Sequence, residues 1–240
     1  MKKMKKMKKM KKKRKMTSLF LADIHLNGGG PRENFFSDKL LVHLLRQHLK
    51  DRIYFLGDFC EERQASYRQI WGAHPFLLSI IGACTDLVVL PGNHDPHIER
   101  ALWWPSSTLF PGKVYVDKQG VLSTHGSIFD LFTGGHLSFI GTAATWLAST
   151  STLVFGSGAD EWLSDTAQIA LGYGKHGDLS RYVGKMETLL LKYNAKRGVL
   201  GHLHCSAEEG AVRVIADWMG PAPEVEKRFE AGENYLVLED

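Results

Sequence analysis

Short apolar runs alternate with segments of helical periodicity along the first half of the chain. The runs at 18–22, 53–56 and 86–90 have the length and continuous apolar character of strands that are buried on both faces of a sheet. Apolar side chains recur at helical spacing over 35–50, and a second helical stretch is predicted around 67–81. This alternation of strands and helices predicts an α/β architecture.

The second half of the chain repeats this arrangement more loosely. Strands are predicted at 113–116, 120–124 and 197–200, and the segments 211–216 and 234–238 are predicted to be closing strands. Two half-sheets that face each other would form a layered sandwich, with helices on the outside.

Five of the predicted strands end in a short turn that carries Asp, Asn or His. The five turns are Asp23-x-His25, Gly57-Asp58, Gly92-Asn-His-Asp95, His125-Gly126 and Gly201-His-x-His204. Ligands bind beyond the carboxyl ends of strands in open α/β sheets, so we expect these turns to meet at one rim. On extended backbone, Asp-x-His and His-x-His would also point both of their side chains to one side of the strand.

The residue types in these turns are typical of a metal site. Carboxylate oxygens, amide oxygens and imidazole nitrogens suit Mn²⁺, Mg²⁺, Fe or Zn²⁺, and the set contains no thiolate. A single Gly-Asp or His-x-His is more often an ordinary turn or a surface pair. Five such turns in this order, each after a strand, indicate a shared metal centre.

This ordered set resembles the calcineurin-like metallophosphoesterase superfamily over roughly residues 18–217. The resemblance implies a four-layer α-β-β-α sandwich with a helical lid insertion. It also implies two divalent metal ions, with Mn²⁺ expected and Mg²⁺, Fe or Zn²⁺ as alternatives. The implied ligands are Asp23, His25 and His204 for one metal, Asn93, His125 and His202 for the other, and Asp58 as the bridge. His94 would contact the phosphate as general acid or charge stabiliser, and Asp95 would orient His94.

The second and third turns distinguish the chain from the protein serine/threonine phosphatases of this superfamily. Those enzymes carry Asp-Arg-Gly after the second motif and Gly-Asn-His-Glu in the third. Here Asp58 is followed by Phe-Cys-Glu, and the third motif ends in Asp95. A phosphoprotein substrate is therefore disfavoured.

The chain is more similar to the UDP-2,3-diacylglucosamine diphosphatases of lipid A biosynthesis. The similarity is carried by Ala22-Asp-Ile-His-Leu26, Gly57-Asp-x-x-Glu61, His125-Gly-x-x-Phe-Asp130 and Ala216-Asp-Trp218. Those enzymes hydrolyse the pyrophosphate of an acylated UDP-sugar to UMP and an acyl-sugar 1-phosphate. The chain departs from them at His94, where they carry Arg, and at Ser127, where an Asp is usual.

Two other functions remain open from the sequence. The same metal motifs would serve a soluble metallophosphoesterase that acts on nucleotides or cyclic nucleotides. An inactive metal-binding scaffold is the other alternative, and the complete ligand set argues against it.

An apolar insertion is predicted at about 130–182, within the domain at 17–240. Residues 131–159 contain no Asp, Glu, Lys or Arg. A membrane span is rejected because it would divide the metal motifs between the two sides of a bilayer. The insertion is either a helical lid that binds acyl chains or a helical hairpin that packs on the core. Candidate substrate contacts around the site are Arg100, Lys175, His176 and Arg181.

The charge of the chain is concentrated at its start. Positions 1–15 hold eleven Lys and Arg residues and no acid, so the remaining 19 basic and 26 acidic residues give a net charge of −7. Residues 1–16 are predicted to be a disordered tail, either a tether to an anionic membrane or RNA or a start that precedes the true Met16. Specific nucleic-acid binding is not expected.

The three cysteines form no disulfide or zinc pattern. A cytoplasmic protein is therefore expected, and a lipid substrate would add peripheral contact at the inner face of the cytoplasmic membrane.

Overall fold

The computed structural model of the chain describes residues 17–30, 33, 35–129 and 179–239. The predicted basic tail and residues 130–178 of the predicted insertion lie outside this set. Among the described residues, no helix combines the length and the hydropathy that a bilayer span requires.

The first sheet contains four strands. They are β1 (Thr17–Leu21), β2 (Arg52–Phe55), β3 (Asp86–Val89) and β9 (Leu236–Glu239), in the order β3-β2-β1-β9. Strands β1, β2 and β3 are parallel, and β9 pairs with β1 in the antiparallel direction. The parallel strands therefore present their carboxyl ends at one edge, as the sequence predicted.

Helices α1 (Asp38–Gln47), α2 (Tyr67–Ala73) and α3 (Pro75–Gly82) connect the parallel strands of this sheet. The sequence predicted one helical stretch around 67–81, and the structure divides it at His74. Pro75 explains the division, because a proline disfavours helical backbone at the preceding residue and is well suited to the first turn of a new helix.

The second sheet contains five strands in the order β4-β5-β6-β8-β7. Their bounds are β4 (Val114–Val116), β5 (Val121–Thr124), β6 (Arg197–Leu200), β7 (Ala207–Glu209) and β8 (Val212–Val214). Strands β5, β6 and β8 are parallel, and β4 and β7 are antiparallel edge strands. Two outer helices, α4 (Leu179–Tyr193) and α5 (Ala222–Glu230), complete the five α-helices of the described residues. No helix was predicted between residue 182 and the strand at 197–200, so most of α4 was missed, as were β7 and α5.

Three apolar clusters define the layers. Helices α1, α2 and α3 pack with Leu19 and Leu21 of β1 on the outer face of the first sheet. Helix α4 packs on the outer face of the second sheet. The central cluster joins the inner faces of both sheets, and in it the rings of Phe20 and Tyr54 stack at a centroid distance of 4.3 Å. The predicted α-β-β-α sandwich is therefore confirmed for the described residues.

Truncation of Phe20 tests the importance of the central layer. Phe20 is fully buried between the sheets, so Phe20→Ala is expected to lower the free energy of unfolding by about 3–5 kcal/mol. Phe36 is a matched control because its side chain is 58% exposed, and Phe36→Ala should change this free energy by less than about 0.5 kcal/mol. Chemical denaturation of both variants measures the difference, and equal losses would contradict the layer assignment.

Candidate metal centre

The five predicted turns meet at the carboxyl ends of both sheets. The turn after β1 runs beside the turn after β2, because His25 N–H donates to the carbonyl of Asp58 at 2.9 Å. The turn after β6 reaches the first sheet, since His202 N–H donates to Asp23 Oδ2 at 2.6 Å. His94 N–H from the turn after β3 donates to Asp58 Oδ1 at 2.8 Å. These hydrogen bonds join turns that are far apart in the sequence.

Two glycines make this close approach possible. A Cβ atom on Gly92 would lie 2.0 Å from Asp58 Oδ1, and one on Gly201 would lie 2.3 Å from Asp23 Oδ2. Any larger residue would push these carboxylates away from their present positions.

The backbone of the ligand turns differs from the sequence expectation. Asp23, His25, His202 and His204 were expected on extended backbone, but their φ angles are +51°, +57°, +72° and +52°. Asp58 also has a positive φ of +48°. Strands β1 and β6 have already ended at Leu21 and Leu200, so the side chains converge through left-handed turns and not through strand alternation. Such conformations are costly for non-glycine residues and are concentrated at functional sites.

The first donor cluster consists of Asp23, His25 and His204, whose possible ligand atoms all lie within 4.8 Å of one another. Asp23 Oδ1 and His25 Nε2 are buried and have no hydrogen-bond partner among the described residues. The other ring nitrogens are occupied, because His25 Nδ1 lies 2.5 Å from Glu61 Oε1 and His204 Nδ1 lies 2.9 Å from Asp217 Oδ2. Carboxylates at Nδ1 fix each tautomer and direct Nε2 to the cluster, the usual arrangement for metal-binding histidines.

The second donor cluster consists of Asp58, His125 and His202, again with ligand atoms within 4.8 Å of one another. His125 Nδ1 lies 3.0 Å from the Leu56 carbonyl, which can only accept, so this nitrogen carries a proton. His125 Nε2 then faces two oxygens, Asn93 Oδ1 at 3.0 Å and Asp58 Oδ2 at 3.1 Å. A neutral imidazole would present three acceptors to one another, and only a positive charge among them makes this arrangement favourable.

Asp58 stands between the two clusters. Its Oδ2 lies 3.1 Å from His125 Nε2 and 3.8 Å from His25 Nε2, while its Oδ1 is fixed by the backbone. The donor types and the unpaired buried atoms fit divalent cations in both clusters, with one carboxylate shared.

The pKa values of the cluster show which charges balance one another when no cation is bound. Burial would raise the pKa of Asp58, but the charges of His125 and His94 hold that pKa well below its usual range. Burial lowers the pKa of His125, and the carboxylates of Asp58 and Asp23 raise it to about 9. In the absence of metal, protons on the imidazoles therefore balance the carboxylates, and metal binding has to displace them.

Glu61 is a site residue that was not among the predicted site residues. It is buried and contacts two histidines through different oxygens, His25 through Oε1 and His94 Nδ1 through Oε2 at 2.9 Å. Burial lowers the pKa of His94, and Glu61 and Asp58 raise it to about 9, against the opposing positive charge of Arg63. The sequence motif Gly57-Asp-x-x-Glu61 already contained Glu61, and the motif Ala216-Asp-Trp218 contained Asp217, the partner of His204.

Asp95 has a different contact from the one predicted. It was expected to orient His94, but Glu61 makes that contact. Asp95 Oδ1 accepts the backbone N–H of Asp58 and Gly92, and Oδ2 accepts those of Phe59 and Cys60. Its carboxylate therefore ties the turn after β3 to the turn after β2.

The predicted substrate contacts are divided by the structure. Arg100 is exposed, and its Nε lies 3.8 Å from Glu99. Arg181 Nη2 donates to the Phe129 carbonyl at 3.4 Å, near the turn that carries His125. Lys175 and His176 lie outside the described residues.

The calcineurin-like phosphoesterase family matches residues 16–206. The chain therefore belongs to the calcineurin-like phosphoesterase family and is a metal-dependent phosphoesterase. No curated protein sequence matches the chain significantly.

Three solved structures show the range of structural similarity. A protein of unknown function from Aquifex aeolicus has 17% identity and a TM-score of 0.43, with 84% of this chain and 89% of that chain covered. A dimetal phosphatase from Danio rerio has 10% identity and a TM-score of 0.43, with 87% and 90% covered. A predicted phosphoesterase from Streptococcus pneumoniae has 12% identity and a TM-score of 0.35, with 85% and 73% covered. At these low values the similarities add no argument to the family match.

Substitution of Asp95 separates a structural role from a catalytic one. Asp95→Ala leaves four backbone N–H groups without their acceptor, so we expect a loss of about 3–5 kcal/mol in the free energy of unfolding. Asp95→Asn keeps one acceptor oxygen and should lose less. Thermal and chemical unfolding of metal-loaded variants measure these losses. Unchanged stability with a large fall in kcat would instead support a direct action on His94.

Proposed function

We propose that the chain hydrolyses a diphosphate bond with two divalent cations, bound as the two donor clusters suggest. Asp23, His25 and His204 would bind one cation, Asn93, His125 and His202 the other, and Asp58 both. The observation that carries this proposal is a pair of buried atoms, Asp23 Oδ1 and His25 Nε2, beside the shared carboxylate of Asp58. Neither atom has a hydrogen-bond partner in the part of the chain that the structure describes. Mn²⁺ is the proposed metal, and Mg²⁺, Fe and Zn²⁺ are the alternatives that suit the same oxygen and imidazole donors.

The side chains divide the reaction between them. Two divalent cations supply charge neutralisation at the phosphoryl group and a hydroxide nucleophile near neutral pH. Hydrolysis forms a bond between a water oxygen and one phosphorus and breaks the bond from that phosphorus to the bridging oxygen. Glu61 accepts a hydrogen bond from His94 Nδ1, which leaves Nε2 of the same ring for the substrate. We assign His94 Nε2 as the donor of the proton that the leaving oxygen takes up.

UDP-2,3-diacylglucosamine is the proposed substrate, with UMP and the diacylglucosamine 1-phosphate as products. The motif Ala216-Asp-Trp218, which resembles that of the enzymes with this activity, supports this assignment. In it Asp217 contacts His204, and Trp218 N–H donates to the Asp23 carbonyl at 3.1 Å. The uncharged stretch at 131–159 supports it as well, since acyl chains need apolar surface. On this proposal the apolar side chains of the insertion bind the acyl chains, and the enzyme works at the cytoplasmic surface of an anionic membrane.

Removal of the His94 imidazole tests its assigned role. We expect His94→Ala to lower kcat by roughly 10²–10⁴-fold while both metal ions remain bound, because its loss removes a proton donor and no ligand. His43 on α1 is exposed and serves as the control, so His43→Ala should keep full activity. Steady-state kinetics with metal analysis of each purified variant makes the comparison. Loss of metal from His94→Ala would show that His94 is a ligand instead.

The substrate proposal is tested with a panel of compounds on Mn²⁺-loaded protein. Release of UMP from UDP-2,3-diacylglucosamine should exceed release from UDP-glucose by at least about tenfold in kcat/KM, because each acyl chain adds apolar contact. Bis-p-nitrophenyl phosphate reports whether the metal centre is active, and cyclic nucleotides represent the alternative function. Equal rates on both UDP-sugars would eliminate the acylated substrate, and a preference for cyclic nucleotides would replace it.

A further inference from the structure

Arg63 lies at the rim of the metal centre and belongs to no predicted motif. It follows Glu61 by two residues, in the turn between β2 and α2. Its Nη2 donates to the carbonyl of Asn93 at 2.6 Å. This hydrogen bond fixes the guanidinium beside the turn that carries Asn93 and His94, although Arg63 itself is exposed to solvent.

The charge of Arg63 has no acidic partner among the described residues. Its contact with Asn93 is the hydrogen bond described above, and no carboxylate in the described ranges forms a salt bridge with it. Four other arginines of the described chain form salt bridges: Arg52 with Asp86, Arg100 with Glu99, Arg213 with Glu208 and Arg228 with Asp217.

A solvated surface arginine is the ordinary explanation for an exposed guanidinium. Two features separate Arg63 from that case. The side chain gives up rotamer freedom to bond a backbone carbonyl at the edge of the site, a cost that a purely solvated arginine would not meet. The guanidinium has five N–H donors in a planar fork, so the remaining donors are available to a phosphate.

We propose that Arg63 binds the leaving phosphate of a diphosphate substrate. The inference rests on the proposed function and extends it, since it names the residue that distinguishes a diphosphate from a simple phosphodiester. His94 adjoins the Asn93 carbonyl that Arg63 contacts, and the leaving oxygen lies at His94 on the proposed mechanism. The phosphate attached to that oxygen therefore faces the Arg63 guanidinium.

Binding of UDP and UMP to the Mn²⁺-loaded protein tests this assignment directly. The two ligands differ by one phosphate, so the ratio of their dissociation constants isolates the contact of that phosphate. We expect Arg63→Gln to weaken UDP binding by about ten- to hundredfold, the range of a charge-assisted hydrogen bond, and UMP binding by less than about threefold. Arg63→Lys should recover part of the UDP affinity, because it restores the charge without the fork.

Arg46→Gln is the matched control. Arg46 lies in the last turn of α1, which ends near the start of β2 and so at the opposite end of the sheet from the metal centre, and its guanidinium stacks over Phe76. The variant removes the same charge and should leave the UDP to UMP ratio unchanged. A wild-type Mn²⁺ content in purified Arg63→Gln shows that its metal centre is intact.

The outcomes separate this inference from the proposed function. An equal loss of UDP and UMP affinity in Arg63→Gln, or no loss, overturns the role of Arg63. A wild-type protein that cleaves no UDP-linked diphosphate overturns the substrate, while the UDP to UMP ratio still decides the role of Arg63. A shift of that ratio in Arg63→Gln but not in Arg46→Gln supports the inference.

Discussion

The structure depends on an electrostatic constraint at the rim of the sandwich. Carboxylate, amide and imidazole acceptors face one another there in a buried space. One oxygen of each carboxylate already accepts a backbone hydrogen bond. Asp23 and Asp58 each use one oxygen for a backbone N–H and direct the other into the cluster. Buried groups in this arrangement cost several kcal/mol unless positive charge lies among them. The glycine contacts, the left-handed turns and the carboxylates behind the histidines all serve to keep these acceptors together.

Much of the fold was predictable because its strands are apolar and short. Strand β6 begins and ends where the apolar run predicted, and the order of strands and helices followed from their alternation. The apolar pattern gave no prediction for two elements that bury few residues. Helix α5 buries only Val225 among its nine residues, so its periodicity carried no signal, and strand β7 has an Ala-Glu-Glu sequence with no fully buried residue.

The sequence predicted the ligands of the candidate site better than the hydrogen bonds that position them. The five motifs named the residues that meet, but not the contacts behind them. Glu61 contacts His25 and His94 across 36 and 33 positions of sequence, and Asp95 contacts Phe59 and Cys60 across a similar distance. Such hydrogen bonds depend on how turns are oriented, which residue types alone do not specify. The left-handed backbone at Asp23 and His204 was likewise invisible to an argument based on strand alternation.

Both sheets contribute to the cluster. Asp23, His25, Asp58 and Asn93 follow strands of the first sheet, whereas His125, His202 and His204 follow strands of the second. Cations bound by this set would cross-link the two sheets at one end of the sandwich. Metal affinity and the docking of the halves are then thermodynamically linked, because whatever loosens their contact also separates the ligands. A substitution between the sheets, far from any ligand, would therefore lower the affinity for metal.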